Sequence, residues 1–230
     1  EKEIEQQKKN EEKILNEEYP EVDAVVDFAF NSERLWTRTK QNRDFMNLRI
    51  GNGELPMMAE VQYNKKRFSL DDDELEDKMY QLAEKEVLIE NVPVMLSLVN
   101  DYIVGVLGTY ESKLEFLRRI LAQIIFMHGY DEVKIIVLAD DNVLESIKEI
   151  RYIPHIWNDE RSFRYIAADY QSAYLIEKEL KKELETDLDK PRKIEEILKC
   201  HPYYVVFAFD EKIFNNMEIL KSILSSDTNL

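Results

Sequence analysis

Apolar and polar positions follow two different periods within residues 101–140, and this stretch forms the centre of the predicted fold. Residues 103–107 are an unbroken apolar run that ends at Gly108, which is typical of a buried strand reaching a tight turn. The following apolar residues recur at helical spacing, and Gly129 stands where a left-handed cap would end that helix. Residues 133–138 are a second apolar run. Strand, turn, helix and strand together predict one parallel crossover unit. The stripe of this predicted helix consists of Leu117, Ile120, Leu121, Ile124 and Ile125.

The alternation of strands and helices continues on both sides of this unit. Strands 103–107, 133–138 and 203–209 are expected side by side and buried on both faces, because their apolar runs do not alternate. Strands that alternate with helices of this length predict an α/β fold with a largely parallel sheet. The other predicted strands are 92–99 and 163–167. One further helix is predicted to begin at Asp71, with the apolar stripe Leu75, Met79 and Leu82, and another is predicted to be capped by Asn142 and to reach Arg151. The remaining predicted helical segments are 170–188, a turn at 194–198, and 213–224.

The first 64 residues have a different texture. Residues 1–19 are a polar helix candidate with few apolar positions, which leaves two interpretations open: a solvated extension, or a stalk to an upstream segment. Residues 45–50 alternate and end in the sequence Gly51-Asn52-Gly53, which predicts a hairpin turn with a return strand at 58–63.

Composition narrows the range of functions. The 230-residue chain has 31 Lys and Arg against 47 Asp and Glu, a formal net charge of -16, which argues against a nucleic-acid surface and against adsorption to anionic lipid. Cys200 is the single cysteine, so an internal disulfide is excluded and a reducing compartment is indicated. No apolar run is long enough to span a bilayer. Because the chain begins at Glu1, we expect it to be part of a longer protein.

The turn at Gly108 lies where a P-loop nucleotide site would be. That motif requires a second glycine, a lysine and a hydroxyl residue after four spacers. Here Ser112 is the last spacer, Lys113 takes the place of the glycine, and Glu115 takes the place of the hydroxyl, so no element is in register. We therefore predict a degenerate Walker A loop in which Gly108, Ser112 and Lys113 are the candidate nucleotide-binding residues. The alternative is a strand-to-helix turn without chemistry.

Asp210 and Glu211 form the second candidate constellation. They follow the apolar run 203–209, as the magnesium ligand and the water-polarising carboxylate do in many P-loop enzymes. Asp210 would hold Mg²⁺ through the nucleotide. The alternative is that both residues cap the last helix, whose N-terminal end favours negative charge.

Histidine and cysteine residues give weaker signals. His128, His155, His201 and Cys200 share no spacing typical of a metal site. His128 is expected to end a helix, where a cation is favourable. Trp36 and Trp157 are expected to pack where loops lie on the core.

Six short blocks in this order resemble the EssC/EccC membrane ATPases of type VII secretion systems, which belong to the FtsK/SpoIIIE group. The first two blocks are the more specific, and the resemblance extends from about Glu17 to the C-terminus. The blocks are residues 35–38 (Leu-Trp-Thr-Arg), 44–53 (Asp-Phe-Met-Asn-Leu-Arg-Ile-Gly-Asn-Gly), 92–94 (Val-Pro-Val), 104–108 (Val-Gly-Val-Leu-Gly), 121–123 (Leu-Ala-Gln) and 153–157 (Ile-Pro-His-Ile-Trp).

The resemblance implies a cytosolic segment between the transmembrane helices and the first full ATPase module. It implies three parts: a membrane-proximal stalk helix at 1–19, a small N-terminal β element at 20–64 packed on the core, and a degenerate, P-loop NTPase-like domain at 65–230. The function expected from it is non-catalytic coupling of the membrane anchor to downstream ATPase modules. One alternative is a regulatory module that binds Mg-ATP weakly or hydrolyses it slowly through Asp210 and Glu211. A second, a DNA translocase domain, is disfavoured by the acidic charge.

For the parent protein the resemblance implies a hexamer, other type VII membrane components as partners, and export of small helical WXG-type proteins. No nucleic-acid partner and no firmly bound cofactor are expected for this chain. We expect the chain alone to be a monomer, because the membrane helices and motor modules that would hold the hexamer are not among its 230 residues.

Overall fold

A computed structural model of the chain describes residues 2–30, 33–59, 87–184 and 202–225. These residues group into two compact units, Glu1–Glu21 with Arg49–Leu96, and Val22–Leu48 with Ser97–Leu230. The predicted domain bounds 1–19, 20–64 and 65–230 follow a different division and stay a prediction. Several predicted features lie outside the described residues: most of the return strand 58–63, the helix opening at Asp71, the turn at 194–198, Cys200 and His201.

The second unit is built on a three-stranded parallel sheet. Its strands are β3 (Val133–Leu138), β4 (Ile166–Ala167) and β5 (Tyr203–Ala208). Their order is β4–β3–β5, with Val133 of β3 beside Tyr203 of β5 and Leu138 beside Ala167 of β4. All six residues of β3 are buried, as predicted, although Lys134 interrupts its apolar run. The predicted parallel α/β arrangement is therefore confirmed for the described residues. The predicted burial of 203–209 on both faces is wrong, because among the described strands β5 is paired only with β3, and Val205 is its only buried residue. The described helices of this unit are α2 (Val22–Val26), α3 (Tyr110–Met127), α4 (Asp141–Ser146), α5 (Tyr170–Leu184), α6 (Glu211–Phe214) and α7 (Glu218–Ser225). Short 3-10 turns lie at Asp27–Phe30, Lys148–Tyr152 and Pro154–Ile156.

The predicted strand at residues 103–107 is wrong. These residues adopt no regular structure, and Leu107 is 98% exposed. Within the part of the chain that the structure describes, β3 is paired on both sides, by β4 and by β5, and the segment joins neither ladder. Gly105 in its middle supplies no side chain for packing and disfavours a strand interior. The apolar run by itself did not show whether a neighbouring strand was available for pairing.

Other boundaries also differ from the prediction. Asp140 rather than Asn142 caps α4, because its side chain accepts from Val143 N at 2.9 Å. The helix ends at Ser146 and gives way to a 3-10 turn before Arg151. The predicted strand 163–167 shortens to Ile166–Ala167.

Helix α3 lies against the sheet through one apolar stripe. Leu117, Ile120 and Ile124 are almost fully buried in the main core, so the stripe predicted from the periodicity is the core-facing side. The helix ends at His128 with an extended backbone, and Gly129 does not take the predicted left-handed conformation. The last carbonyl groups of the helix must therefore find donors elsewhere.

Those donors come from two separate segments. Trp36 Nε1 donates to Ile125 O at 3.0 Å, and Trp36 N donates to Phe126 O at 2.9 Å. Arg38 N donates to Met127 O at 2.9 Å. His155 Nε2 donates to His128 O at 2.9 Å. Loop residues on opposite sides of the helix in sequence thus complete its C-terminal end.

The first unit contains a helix and a two-stranded sheet. Strand β1 (Asn47–Pro56) runs straight through the Gly51-Asn52-Gly53 sequence, so the hairpin turn predicted there is wrong. Among the described residues, its partner is β2 (Leu88–Ser97). The hydrogen bonds Leu98 N to Met46 O and Met57 N to Val87 O make the pairing antiparallel.

Helix α1 (Lys2–Glu18) has no buried residue, yet it is attached to this unit by polar contacts. Glu11 accepts from Met58 N at 2.9 Å and from Ala59 N at 3.1 Å, and Arg49 donates to Tyr19 O at 2.6 Å just after the helix ends. Partial burial raises the pKa of Glu11, but these N–H donors outweigh it and hold that pKa below its usual range.

None of the described helices combines the length and the apolar character that crossing a bilayer requires.

The two glycines of β1 provide a matched test of how closely β1 packs against β2. A Cβ on Gly53 would lie 2.7 Å from Val94 Cγ2, whereas a Cβ on Gly51 would meet nothing within 4 Å. We expect Gly53→Ala to lower the free energy of unfolding by about 1–3 kcal/mol, because overpacking forces neighbouring atoms apart. Gly51→Ala should be neutral or stabilise by up to about 1 kcal/mol, because it restricts the unfolded chain. Urea denaturation of both variants checks this, and equal effects would contradict the close packing at Gly53.

Candidate functional site

The carboxyl edge of the parallel sheet collects the sequence-predicted site residues. In open α/β sheets, ligands bind beyond the carboxyl ends of the strands. Asp140 follows β3, Asp169 follows β4 and Asp210 follows β5, so three carboxylates stand at this edge. The candidate site is therefore the edge itself, and its chemistry depends on what these carboxylates contact.

Each of the three carboxylates caps the helix that follows it. Asp210 Oδ1 accepts from Lys212 N at 2.7 Å and from Ile213 N at 3.3 Å. Asp169 Oδ1 accepts from Ser172 N at 2.8 Å, and the backbone and hydroxyl donors of Ser172 hold the pKa of Asp169 below its usual range. Asp140 does the same for α4. Asp210 is thus a helix cap, but of the short α6 and not of the last helix, because the predicted helix 213–224 is divided into α6 and α7. A role of Asp210 in holding Mg²⁺ stays a prediction.

Glu211 lies in the first turn of α6, next to the cap. Its Oε1 accepts from Asn215 Nδ2 at 3.4 Å, one turn along the same helix. A carboxylate in the first turn also favours the positive end of the helix. Both members of the predicted Asp-Glu pair therefore have a local structural role.

The turn at Gly108 is closed by its own side chains. Ser112 Oγ donates to Thr109 O at 3.0 Å, and Thr109 Oγ1 accepts from Ser112 N at 3.3 Å, which makes Thr109 the N-cap of α3. A Cβ on Gly108 would lie 2.7 Å from Ser112 Oγ, so the hydroxyl fills the space beside the glycine. Lys113 is already helical, with its N–H donating to Thr109 O. The N–H groups that a P-loop turns toward phosphate are partly used within the turn.

Contacts of α3 place this turn beside α4. Tyr110 Oη lies 3.2 Å from Ser146 Oγ, and Arg118 donates to Ser146 O at 2.7 Å. Since α4 follows β3, the turn stands at the same edge as Asp140. Among the described residues, no hydrogen bond or ion pair joins Gly108, Ser112 or Lys113 to Asp210 or Glu211.

These residues do not fit a tightly bound Mg-ATP. The edge is rich in carboxylates, and among the described residues no group of three or more His, Cys, Asp or Glu side chains could hold a metal ion. Glu115, which takes the place of the P-loop hydroxyl, is paired with Arg119 on the helix surface at 2.8 Å. Phosphate binding depends on positive charge and free N–H donors, and the N–H groups of Ser112 and Lys113 already donate within the turn.

The structure also reveals a pair of buried histidines that the sequence interpretation missed. His128 and His155 are both fully buried, and Met46 N donates to His128 Nε2 at 3.1 Å. Burial, followed by the charge of Arg38, lowers the pKa of His128 to about 3, so the residue is neutral and the expected cation at the helix end is wrong. Burial lowers the pKa of His155 to about 4, with Lys134 acting in the same direction against His128 O and Asp131.

The resemblance blocks carried the signal that points to this cluster. Residues 35–38, 44–53 and 153–157 are far apart in sequence, and the structure brings parts of all three to the C-terminal end of α3. Trp36 lies there with its ring edge-on to Tyr130 at 5.4 Å, and Trp157 packs against the core under Arg164. Trp157 therefore packs on the core, as predicted, whereas Trp36 is 40% exposed and is held by its hydrogen bonds to α3 and its contact with Tyr130.

Comparison with known proteins finds the same resemblance. The chain is 26% identical over 143 residues to the type VII secretion system protein EssC of Staphylococcus aureus strain MSSA476, covering 62% of this chain and 10% of that protein. It is 20% identical over 221 residues to the ESX secretion system protein EccC of Geobacillus thermodenitrificans strain NG80-2, covering 90% of this chain and 14% of that protein. No protein-family model matches the chain. The predicted resemblance to the EssC/EccC type is confirmed, and the chain spans about a tenth of these relatives.

Variants of Asp210 test whether its carboxylate is a helix cap. We expect Asp210→Ala to lower the free energy of unfolding by roughly 0.5–2 kcal/mol, because two backbone donors lose their acceptor. Asp210→Ser should retain most of the stability, since serine is a comparably good cap. Chemical denaturation of both variants measures the difference. A loss that is the same for serine and alanine would contradict the capping role.

Proposed function

We propose that this chain is a segment of a type VII secretion protein of the EssC/EccC type, and that it acts there as a non-catalytic, ATPase-like coupling domain. In this role it links a membrane anchor to downstream ATPase modules at the cytoplasmic face of the membrane. The similarity to EssC and EccC supports the secretion system. The geometry of the carboxyl edge supports the non-catalytic role.

The single observation that carries the proposal is the closed turn at Gly108. Ser112 fills the space beside the glycine and occupies Thr109 O, and the three carboxylates at the edge are helix caps. Catalysis of phosphoryl transfer depends on neutralising and positioning the phosphates, which this arrangement does not provide. A degenerate Walker A loop on an ATPase-like scaffold is the interpretation that accounts for both features.

The attachment of α1 supports a coupling role. A helix that continued freely into solvent would transmit no displacement, but Glu11, Asn16 and Arg49 bind α1 and the residue after it to the first unit. Arg49 also brings its positive charge to the C-terminal end of the helix, where it is favourable. We thus propose residues 1–19 as a stalk whose C-terminal half is bound to the first unit.

The partners follow from the same proposal. They are the downstream ATPase modules of the parent chain and other membrane components of the system, with secreted WXG-type helical proteins as cargo of the whole assembly. The parent assembles as a hexamer. The net charge of -16 disfavours the alternative of a DNA translocase domain, and retention on DNA at low salt would revive it.

Calorimetry with Mg-ATP tests the non-catalytic role. We expect no binding in the micromolar range and no phosphate release. Losing two charge-assisted contacts of roughly 1.5–3 kcal/mol each weakens binding by a factor on the order of a hundred to ten thousand. The variants are Asp210→Ala, and Asp210→Asn as a matched control that keeps a capping oxygen.

Micromolar binding to the wild type that both variants abolish would overturn the proposal. It would favour the alternative of a regulatory Mg-ATP module that uses Asp210 and Glu211. Micromolar binding that only Asp210→Ala weakens would likewise contradict the expected absence of binding, and it would attribute the loss in that variant to the missing cap rather than to a missing magnesium ligand.

The isolated chain should be monomeric in dilute solution. Its charge of -16 opposes association of identical chains at low salt. Multi-angle light scattering at micromolar concentration measures the mass directly, and the expected value corresponds to 27.4 kDa. A stable hexamer under these conditions would contradict this expectation.

A further inference from the structure

Residues 36–46 cross the C-terminal end of α3 and are bound to it at both of their ends. Trp36 and Arg38 donate to the last carbonyls of the helix, and Met46 N donates to the His128 ring. We propose that these residues form a latch, and that the latch opens as one unit when the His128 ring takes up a proton. This inference does not rest on the proposed function.

The hydrogen bond from Met46 fixes the protonation state that the closed latch requires. A backbone N–H can only donate, so His128 Nε2 must carry a free lone pair, and the single proton of the neutral ring is on Nδ1. Protonation of Nε2 would place two donors against each other at 3.1 Å. The bond that anchors the second end of the latch exists only with a neutral ring.

The charged groups around His128 also disfavour its cation. From the latch, the Arg38 guanidinium faces the ring, held by Asp44 Oδ2 at 2.8 Å and by Asn47 O at 2.8 Å. Phe45, also of the latch, lies edge-on at 5.3 Å and in turn contacts the Tyr203 ring of β5. From the other side His155 approaches, and it is itself surrounded by Lys134, Asp131 and Tyr130. No carboxylate among the described residues bonds the His128 ring.

Backbone conformation makes the latch a discrete structure rather than a loosely packed loop. Trp36 and Met46 both have a φ of 56°, in the left-handed region that side chains other than glycine rarely adopt. Such residues persist only where surrounding contacts hold them. Met46 is fully buried as well, so its conformation and its hydrogen bond should be lost together when the latch opens.

The sign of the pH effect follows from linkage. The closed latch holds the pKa of His128 at about 3, below the ordinary value of 6.5 that the ring regains in contact with water. Protons therefore bind the open form more tightly, and the closed form loses stability as the pH falls from 6.5 toward 3. One proton per opening event raises the opening equilibrium by roughly tenfold per pH unit in that window.

Hydrogen exchange of the full chain at single amides tests the latch. The reporter amides are Trp36, Arg38 and Met46, and the reference amides are Val137 and Ala139, which donate to Tyr165 O and Ala167 O beside the sheet. Between about pH 7 and about pH 5, we expect the protection factors of the reporters to fall together by roughly 20–30-fold, with the reference amides better protected throughout. This window lies above the ordinary pKa of Asp44 and other carboxylates.

Two variants identify the proton acceptor. In His128→Gln the amide oxygen can accept from Met46 N but does not titrate, so the latch amides should lose their pH dependence. In the control His155→Gln the amide can still donate to His128 O, and the slope should remain. Reporter and reference amides that exchange at equal rates with equal slopes would show global unfolding only and overturn the latch. An unchanged slope in His128→Gln would overturn the role of His128, and the wild-type slopes decide the matter if that variant fails to fold.

Discussion

The C-terminal end of α3 imposes the constraint on which the second unit depends. A helix leaves its last carbonyls without partners inside the helix, and a buried unpaired carbonyl costs roughly 1–3 kcal/mol. Because α3 ends without a left-handed glycine cap, Trp36, Arg38 and His155 supply the missing donors from distant parts of the chain. This requirement brings three of the resemblance blocks to one place. It also buries His128 without charge, although the end of a helix ordinarily favours a cation.

At the carboxyl edge of the sheet, the backbone groups that need partners are the N–H groups at the starts of helices. The helices that leave the carboxyl edge of the sheet begin with unpaired N–H groups, and side chains of Asp140, Asp169 and Asp210 bind them. A working phosphate site would leave such donors open to the ligand. Here the protein has used its helix ends for its own stability, and the turn at Gly108 is closed by Ser112 in the same way. The helix starts at this edge are therefore capped by the protein's own side chains.

The carboxyl edge of the sheet and the C-terminal end of α3 differ in how their unpaired groups find partners. At the carboxyl edge, each cap comes from a residue close in sequence to the helix that it caps. Residues 36–46, by contrast, are attached to α3 by a few directional hydrogen bonds to distant parts of the chain, and two of these residues have left-handed backbone conformations. In the first unit, Glu11 and Arg49 fix α1 through polar contacts alone. The attachment of α1 thus rests on polar contacts, whereas residues 36–46 also contribute Phe45 and Met46 to the hydrophobic core.

The sequence alone determined the local elements and the type of layer, because these depend on periodicity and on single residues. Strand β3 and the buried stripe of α3 follow from residues that are near neighbours in the chain. Only the tertiary structure decided which apolar runs pair with another strand. It excluded 103–107 from the sheet and extended β1 through Gly51 and Gly53. The histidine pair could not be predicted either, because burial and the direction of a hydrogen bond across 82 residues depend on contacts that no local pattern encodes.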